Sequence, residues 1–263
     1  MTAPAPLNIV VPMAGRGSRF AQAGYRDPKP LVEFGGRPMI QWVVDNLRPS
    51  RRHRFIFLCL DEHLERYPAL RTLLERLCPG CAIVRVAEVT QGAACTVLLA
   101  RDWIADGAPL MIANSDQFIE LAIDDYLQVL DATRADGMIM TFRSDHPKWS
   151  YCRLRPDGTV GEVVEKKVVS NHATVGIYNF ARGTDFVAAA DSMVARDLRV
   201  NGEFYVAPAY NLLIERGSRI LTCLTRPDGT GMHGLGTPED LNLFMQTEVY
   251  RRLSSEGPAG PGH

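Results

Sequence analysis

Over the first half of the chain, short apolar runs alternate with amphipathic stretches. The runs at residues 8–11, 54–59, 83–86, 109–114 and 137–142 are nearly continuous and end in polar or glycine-bearing segments. That is the pattern of strands buried on both faces. Between them, residues 39–47, 64–77, 90–104 and 123–134 place apolar side chains three and four positions apart, which predicts helices. Strand and helix in this rhythm predict an α/β fold: a mostly parallel central sheet with helices on both faces and right-handed crossovers.

The second half changes character. Residues 151–155 and 161–165 flank Pro156-Asp157-Gly158, a hairpin signal. Residues 174–180 and 220–224 read as strands, and 185–195, 206–216 and 238–253 as helices. A small antiparallel layer is therefore expected beside the parallel sheet. With no internal repeat and no low-complexity linker, residues 7–253 are expected to form one domain. Residues 254–263, rich in Gly, Pro and Ser, read as a disordered tail.

The first apolar run, Ile9-Val10-Val11, ends in Ala14-Gly15-Arg16-Gly17-Ser18-Arg19. Glycines at alternate positions let backbone N–H groups approach an anion closely, because no Cβ blocks the way. Arg19 and Lys29 bring two positive charges to the same turn, and Pro28 and Pro30 restrict the backbone around Lys29. A polyphosphate suits such a loop. It is neither a P-loop, which needs G-x-x-x-x-G-K-[ST], nor a dinucleotide fingerprint, whose third Gly is replaced here by Phe20.

A net charge of −1 over 263 residues leaves no broad basic surface, so neither nucleic acid nor an anionic membrane is an expected partner. No apolar run is long enough to span a bilayer. Residues 1–6 lack the basic-then-apolar pattern of a secretory signal, and the six Cys form no regular framework, so the expected location is the cytoplasm. Cys78-Pro79-Gly80-Cys81 has redox or zinc spacing, but without a second such pair it reads as a turn between helix and strand.

Three further segments carry charge. The strand at 109–113 ends in Asn114-Ser115-Asp116-Gln117, and ligands of open α/β sheets bind beyond the carboxyl ends of strands. A carboxylate facing a polyphosphate implies a cation between them, hence Mg²⁺ at Asp116; an Asx turn or helix cap explains the residue equally well. Glu165-Lys166-Lys167 can grip a phosphorylated acceptor, the lysine on its phosphate and the carboxylate on its hydroxyls; a solvated charge run is the other reading. In His233-Gly234-Leu235-Gly236-Thr237-Pro238-Glu239-Asp240, capping explains Thr237 through Asp240, but it leaves the two glycines to be explained by close approach of ligand or backbone.

Taken in order, these segments resemble the sugar-phosphate nucleotidylyltransferases, which have a GT-A-like Rossmann fold. The resemblance covers roughly residues 8–253. It is carried by Ala14-Gly15-x-Gly17-Ser18-Arg19 with Pro28-Lys29-Pro30-Leu31, then Gln91-Gly92-Ala93-Ala94, Asn114-Ser115-Asp116 and Glu165-Lys166. Residues 170–178, Asn201-Gly202-Glu203-Phe204 and Gly236-Thr237-Pro238-Glu239-Asp240 complete it. One position departs: where many members have a second metal-binding aspartate, two before Gly236, this chain has Gly234.

The resemblance implies Mg²⁺-dependent transfer of a nucleotidyl group from an NTP to a phosphorylated small molecule, a sugar 1-phosphate being the expected acceptor, with release of pyrophosphate. Arg19 is then expected on the β- and γ-phosphates, Lys29 between the α-phosphate and the incoming phosphate, Lys166 on the acceptor phosphate and Asp116 on the metal. Ala14, Gly15, Gly17, Ser18, Gln91, Gly92 and Ser115 belong on the nucleotide side. Trp149, Ser150, Glu165, Thr174 and Val175 belong in the acceptor pocket. Two other readings share the loop: a GT-A glycosyltransferase, which normally shows Asp-x-Asp where this chain has Asn114-Ser115-Asp116, and a nucleotide-binding regulatory module without turnover.

Overall fold

The computed structural model describes residues 5–255. The chain opens with β1 (Leu7–Met13), a glycine turn and the short α1 (Ser18–Gln22). A single 3-10 turn at Lys29–Leu31 and the small hairpin of β2 (Glu33–Phe34) and β3 (Arg37–Pro38) lead to α2 (Met39–Leu47). Then come β4 (His53–Leu60), α3 (Asp61–Arg66), α4 (Pro68–Leu77), β5 (Ala82–Val86), α5 (Ala93–Leu98), α6 (Arg101–Ile104) and β6 (Leu110–Ala113). The second half runs β7 (Gln117–Ile119), α7 (Ile123–Thr133), β8 (Gly137–Arg143), β9 (Ser150–Leu154), β10 (Val160–Glu165), β11 (His172–Phe180), α8 (Gly183–Ala195) and α9 (Ala209–Glu215). It closes with β12 (Ile220–Leu224), β13 (Met232–Gly234), α10 (Pro238–Met245) and α11 (Glu248–Ser255).

The main sheet has the order β10-β9-β11-β6-β1-β4-β5, with β8 also paired to β11, and β12 parallel to β8. From β6 through β5 the strands are parallel, and helices cover both faces as the alternation predicts. The period-two side-chain pattern shows directly in the core. Ile9 and Val11, with Phe55 and Phe57, point into one hydrophobic cluster; Val10, with Ile56 and Leu58, points into the other. All are at most 2% exposed. The antiparallel strands β9 and β10 join the same sheet through β11, which runs antiparallel to β6, β8 and β9. Its register shifts between Thr174 and Tyr178, around Gly176 at φ +96°.

Three predicted helices are broken. Pro68 starts α4 and divides the expected 64–77 helix, since a proline suits a first turn and not an interior. Residues 90–104 give α5 and α6, interrupted at Leu99 and Ala100. Residues 238–253 give α10 and α11, with Gln246 and Thr247 between them. Ser254 and Ser255 extend α11 into the segment expected as a tail; residues 256–263, like 1–4, lie outside the described residues. Cys78 to Cys81 form the expected turn: Cys81 N–H donates to the Cys78 carbonyl at 3.0 Å. Burial pushes the Cys78 thiol up to about 12, which suppresses the thiolate that redox or zinc chemistry needs.

Candidate active site

The parallel pairing of β1 with β6 sets Val10 opposite Ile112, so the two strands end side by side. Their following loops, Ala14–Gly17 and Asn114–Asp116, emerge at the same rim of the sheet and open onto a cavity of about 580 Å³. The two glycines of the first loop serve different needs. Gly17 has φ +62°, and a Cβ there would lie 3.2 Å from the Lys29 Cβ, so it permits both the turn and the approach of Lys29. Gly15 has no such angle, and a Cβ there would meet nothing within 4 Å; it lines the cavity and leaves open space in it.

Lys29 is fixed by the 3-10 turn that follows Pro28, where Leu31 N–H donates to the Pro28 carbonyl at 2.8 Å. Its ammonium donates to Asp116 Oδ2 at 2.8 Å. The two side chains keep 21% and 28% of their surface open, so a ligand in the cavity can reach the pair. Arg19 lines the same end and forms no ion pair with any described residue, which leaves one unneutralised cation there. The Asp116 backbone is anchored by the next loop, where Leu235 N–H donates to its carbonyl at 2.7 Å. β13 pairs with β7 so that Gly234 lies opposite Gln117, and this brings the loop from Gly234 to Asp240 against the aspartate.

The other end of the cavity is built by β9, β10 and the start of β11. Glu165 is 7% exposed; burial raises its carboxyl above the ordinary value, opposed by the Ser150 hydroxyl, which donates to it, and by Lys166 at 3.6 Å. Lys166 follows in the left-handed region at φ +56°, an uncommon place for a residue with a Cβ and a form of backbone strain often found at functional sites. Its ammonium donates to the Lys148 carbonyl at 2.6 Å. Trp149 stands edge-on to Phe142 at 5.3 Å, with the Lys148 ammonium 4.6 Å from its ring. Thr174, Val175 and Tyr178 close the wall, with the Thr174 and Tyr178 hydroxyls 3.1 Å apart.

Of the residues singled out from the sequence, Ala14, Gly15, Arg19, Lys29, Gly92, Ser115, Asp116, Trp149, Ser150, Glu165, Lys166, Thr174 and Val175 line this one cavity. Gly17, Ser18 and Gln91 do not. Gly17 and Ser18 form the turn beneath it. The Gln91 side chain turns to Arg199, whose guanidinium donates to Gln91 Oε1 at 2.8 Å and stacks on Phe204 at 4.3 Å. Gly92, at φ +132°, is glycine for a reason the sequence hides: a Cβ would lie 2.5 Å from the Phe204 backbone, which clasps the turn through Phe204 N–H to Gln91 O and Ala94 N–H to Phe204 O. His233 turns away from the cavity and meets Glu120 at 2.8 Å. Sequence reasoning missed Lys148 and Tyr205, which also line the cavity, and gave Glu203 and Asp240 no site role beyond their place in resembling motifs and, for Asp240, the helix dipole. The one sequence signal for Lys148 was its neighbour Trp149.

An open α/β sheet with a glycine turn, converging cations and a carboxylate at the carboxyl ends of its strands places a charged cavity where ligands of such sheets bind. The nucleotidyl transferase family model matches residues 9–199, and the chain belongs to that family. It is 28% identical over 182 residues to the mannose-1-phosphate guanylyltransferase catalytic subunit beta of Danio rerio, an alignment covering 66% of this chain and 50% of that one. It is 26% identical over 212 residues to the bifunctional protein GlmU of a Thermotoga species, covering 78% of this chain and 44% of that one. The chain thus spans about half the length of the curated relatives it matches. Among solved structures, it superposes on the nucleoside-diphosphate-sugar pyrophosphorylase of Vibrio cholerae with a TM-score of 0.77 and 26% identity, over 91% of this chain and 100% of that one. No described helix is long and apolar enough to cross a membrane.

Proposed function

We propose that this chain transfers a nucleotidyl group from an NTP to a phosphorylated small molecule, a sugar 1-phosphate, releasing pyrophosphate. The observation that carries the reading is that one cavity bears cations at two places: Arg19 and Lys29 beside Asp116 at one, Lys166 beside Glu165 at the other. The names of the family relatives support it. Six unpaired cysteines suit the reducing cytoplasm.

An acceptor phosphate oxygen attacks the α-phosphorus; the new P–O bond forms as the bond to the β-phosphate oxygen breaks, and that electron pair leaves on pyrophosphate. The attacking phosphate is already anionic, so the chain needs no strong general base. Its task is alignment and charge neutralisation. Arg19, paired with no carboxylate among the described residues, takes the β- and γ-phosphates, where leaving charge grows. Lys29 swings from Asp116 onto the α-phosphate and the incoming phosphate. Lys166 holds the acceptor phosphate, Glu165 and Ser150 take acceptor hydroxyls, and Trp149, Thr174 and Val175 shape the pocket around it. Ala14, Gly15, Gly92 and Ser115 face the nucleoside. Gln91, held by Arg199 and by the Phe204 N–H, serves the nucleotide only by fixing the turn that carries Gly92.

The donor set also fits Mg²⁺. Asp116 Oδ2 holds an ammonium at 2.8 Å, the place of a cation, and a carboxylate with phosphate oxygens is what Mg²⁺ takes. When bound, the ion neutralises phosphate charge during transfer. The test is a pyrophosphate-release screen of ATP, GTP, CTP, UTP and dTTP against a panel of phosphorylated sugars and non-sugars. Release with one pair and a matching NDP-linked product establishes the reading. Nucleotide binding without product from any acceptor refutes it.

A further inference from the structure

Gly234 and Gly236 end β13 and begin the turn into α10. Neither has a positive φ, so the backbone itself does not require glycine at either place. Space requires it. A Cβ on Gly236 would lie 2.8 Å from Asp116 Oδ2, closer than real side chains come. A Cβ on Gly234 would lie 3.3 Å from the Asp240 carboxyl carbon and 3.5 Å from its Oδ2. Two residues of chain span at most about 7 Å. The two missing side chains therefore leave adjoining seats for two carboxylates, both lining the cavity at its Lys29 end.

The same carboxylates are each met by an ammonium: Asp116 by Lys29 at 2.8 Å, and Asp240 by Lys148 at 3.4 Å. Asp116 and Asp240 keep 28% and 25% of their side-chain surface open. Two partly open carboxylates would repel a triphosphate, and two single-charge cations offset them while the cavity is empty. Lys148 has a second seat ready, with its ammonium already 4.6 Å from the Trp149 ring. The backbone of Asp240 caps the helix, its N–H donating to Thr237 Oγ1 at 3.0 Å, so the cap does not use the carboxylate.

We infer that Asp240 is the partner of Asp116 in holding the divalent cation of the NTP, and that Gly234 is glycine to admit it. Resting on the nucleotidyl-transfer reading, this assigns the second acidic ligand to the first turn of α10 and not to β13. Mg²⁺ is commonly held by one or two carboxylates plus substrate phosphates, which matches a pair facing a triphosphate.

The test uses inorganic tripolyphosphate as a base-free probe, titrated calorimetrically into the full chain with saturating MgCl₂ and with EDTA. Wild type should bind the magnesium complex more tightly. In Asp240→Ala, metal-free tripolyphosphate should bind as well or better, because a repelling carboxylate is gone. The magnesium complex should bind about tenfold or more weakly, one lost carboxylate ligand. Gly234→Asp with Asp240→Ala should recover the magnesium preference, since the vacated seat admits the new side chain. If Asp240 were merely the counter-ion of Lys148, its removal would tighten both forms alike, and that result overturns the inference. Loss of the preference in Asp116→Asn but not in Asp240→Ala also overturns it, while leaving the nucleotidyl-transfer reading standing. Wild type that ignores tripolyphosphate in both conditions takes down that reading as well.

Discussion

Gly15→Ala should make the protein more stable and less active. The residue has no positive φ, and a methyl group there meets no protein atom within 4 Å, so the native backbone accepts alanine without strain. Alanine also has fewer unfolded conformations than glycine, which stabilises the fold by about 0.4–1 kcal/mol. For a chain of this size that is a rise of roughly 1–4 °C in Tm. The methyl group instead enters the space between the first loop and any nucleotide. Forcing a close-packed contact apart costs about 1–3 kcal/mol, which is roughly a five- to 150-fold loss of NTP affinity. Differential scanning calorimetry measures the first effect; NTP titration and the KM for NTP measure the second. Gly17→Ala is the control, because φ +62° and the Lys29 Cβ at 3.2 Å predict a loss of stability instead, about 1–2 kcal/mol. Unchanged NTP affinity in a well-folded Gly15→Ala would show that the nucleotide does not lie over this glycine, and the placement of the whole substrate would have to be redrawn.

Three other outcomes follow from contacts described above. Lys29→Ala should lower kcat/KM by about 10²–10³, the worth of one charged donor at a reacting phosphoryl group, while changing stability by at most about 1 kcal/mol, since the Asp116 pair is partly open to water; a variant with wild-type turnover contradicts the role. Gly92→Ala should destabilise by roughly 2–5 kcal/mol in urea titrations, from strain at φ +132° and collision with the Phe204 backbone; a midpoint equal to wild type rules out that clasp. Glu165→Gln should raise the KM for the acceptor without lowering stability near neutral pH. Burial holds the Glu165 carboxyl above its unfolded value, so the native state loses stability as pH rises through the window between the two. The glutamine variant escapes that loss, and its advantage should fade below about pH 4.3, the unfolded value. A deficit that grows as pH rises through that window would mean that the ionised carboxylate is a structural asset.

The parallel half of the sheet was readable because strands buried on both faces leave continuous apolar runs, as at Ile9-Val10-Val11, where neighbours feed opposite cores. Arg19, Lys29 and Asp116 were readable because charge stood beside a glycine turn or at a strand end. The break at Pro68 was in plain view as a proline inside an apolar pattern. The break at Leu99 and Ala100 carries no such mark. The pull of Arg199 on Gln91 spans 108 positions, and the pairing of Lys148 with Asp240 spans 92. Contacts of that range leave no local periodicity, so the reason for Gly234 was hidden until Asp240 stood next to it.

Strand β11 touches both ends of the cavity. Through Ile177 and Tyr178 it is zipped to β6, which leads to Asp116; through Ala173 it is zipped to β9, which carries Ser150. The kink at Gly176 falls between those two attachments. Such a splice acts as a ruler: it sets the gap between the two ends once, in backbone, and, on the nucleotidyl-transfer proposal, leaves β9 and β10 free to be re-tailored for a new cargo without disturbing the end at Asp116. On that proposal, the same scaffold can change what it labels while keeping how it labels it.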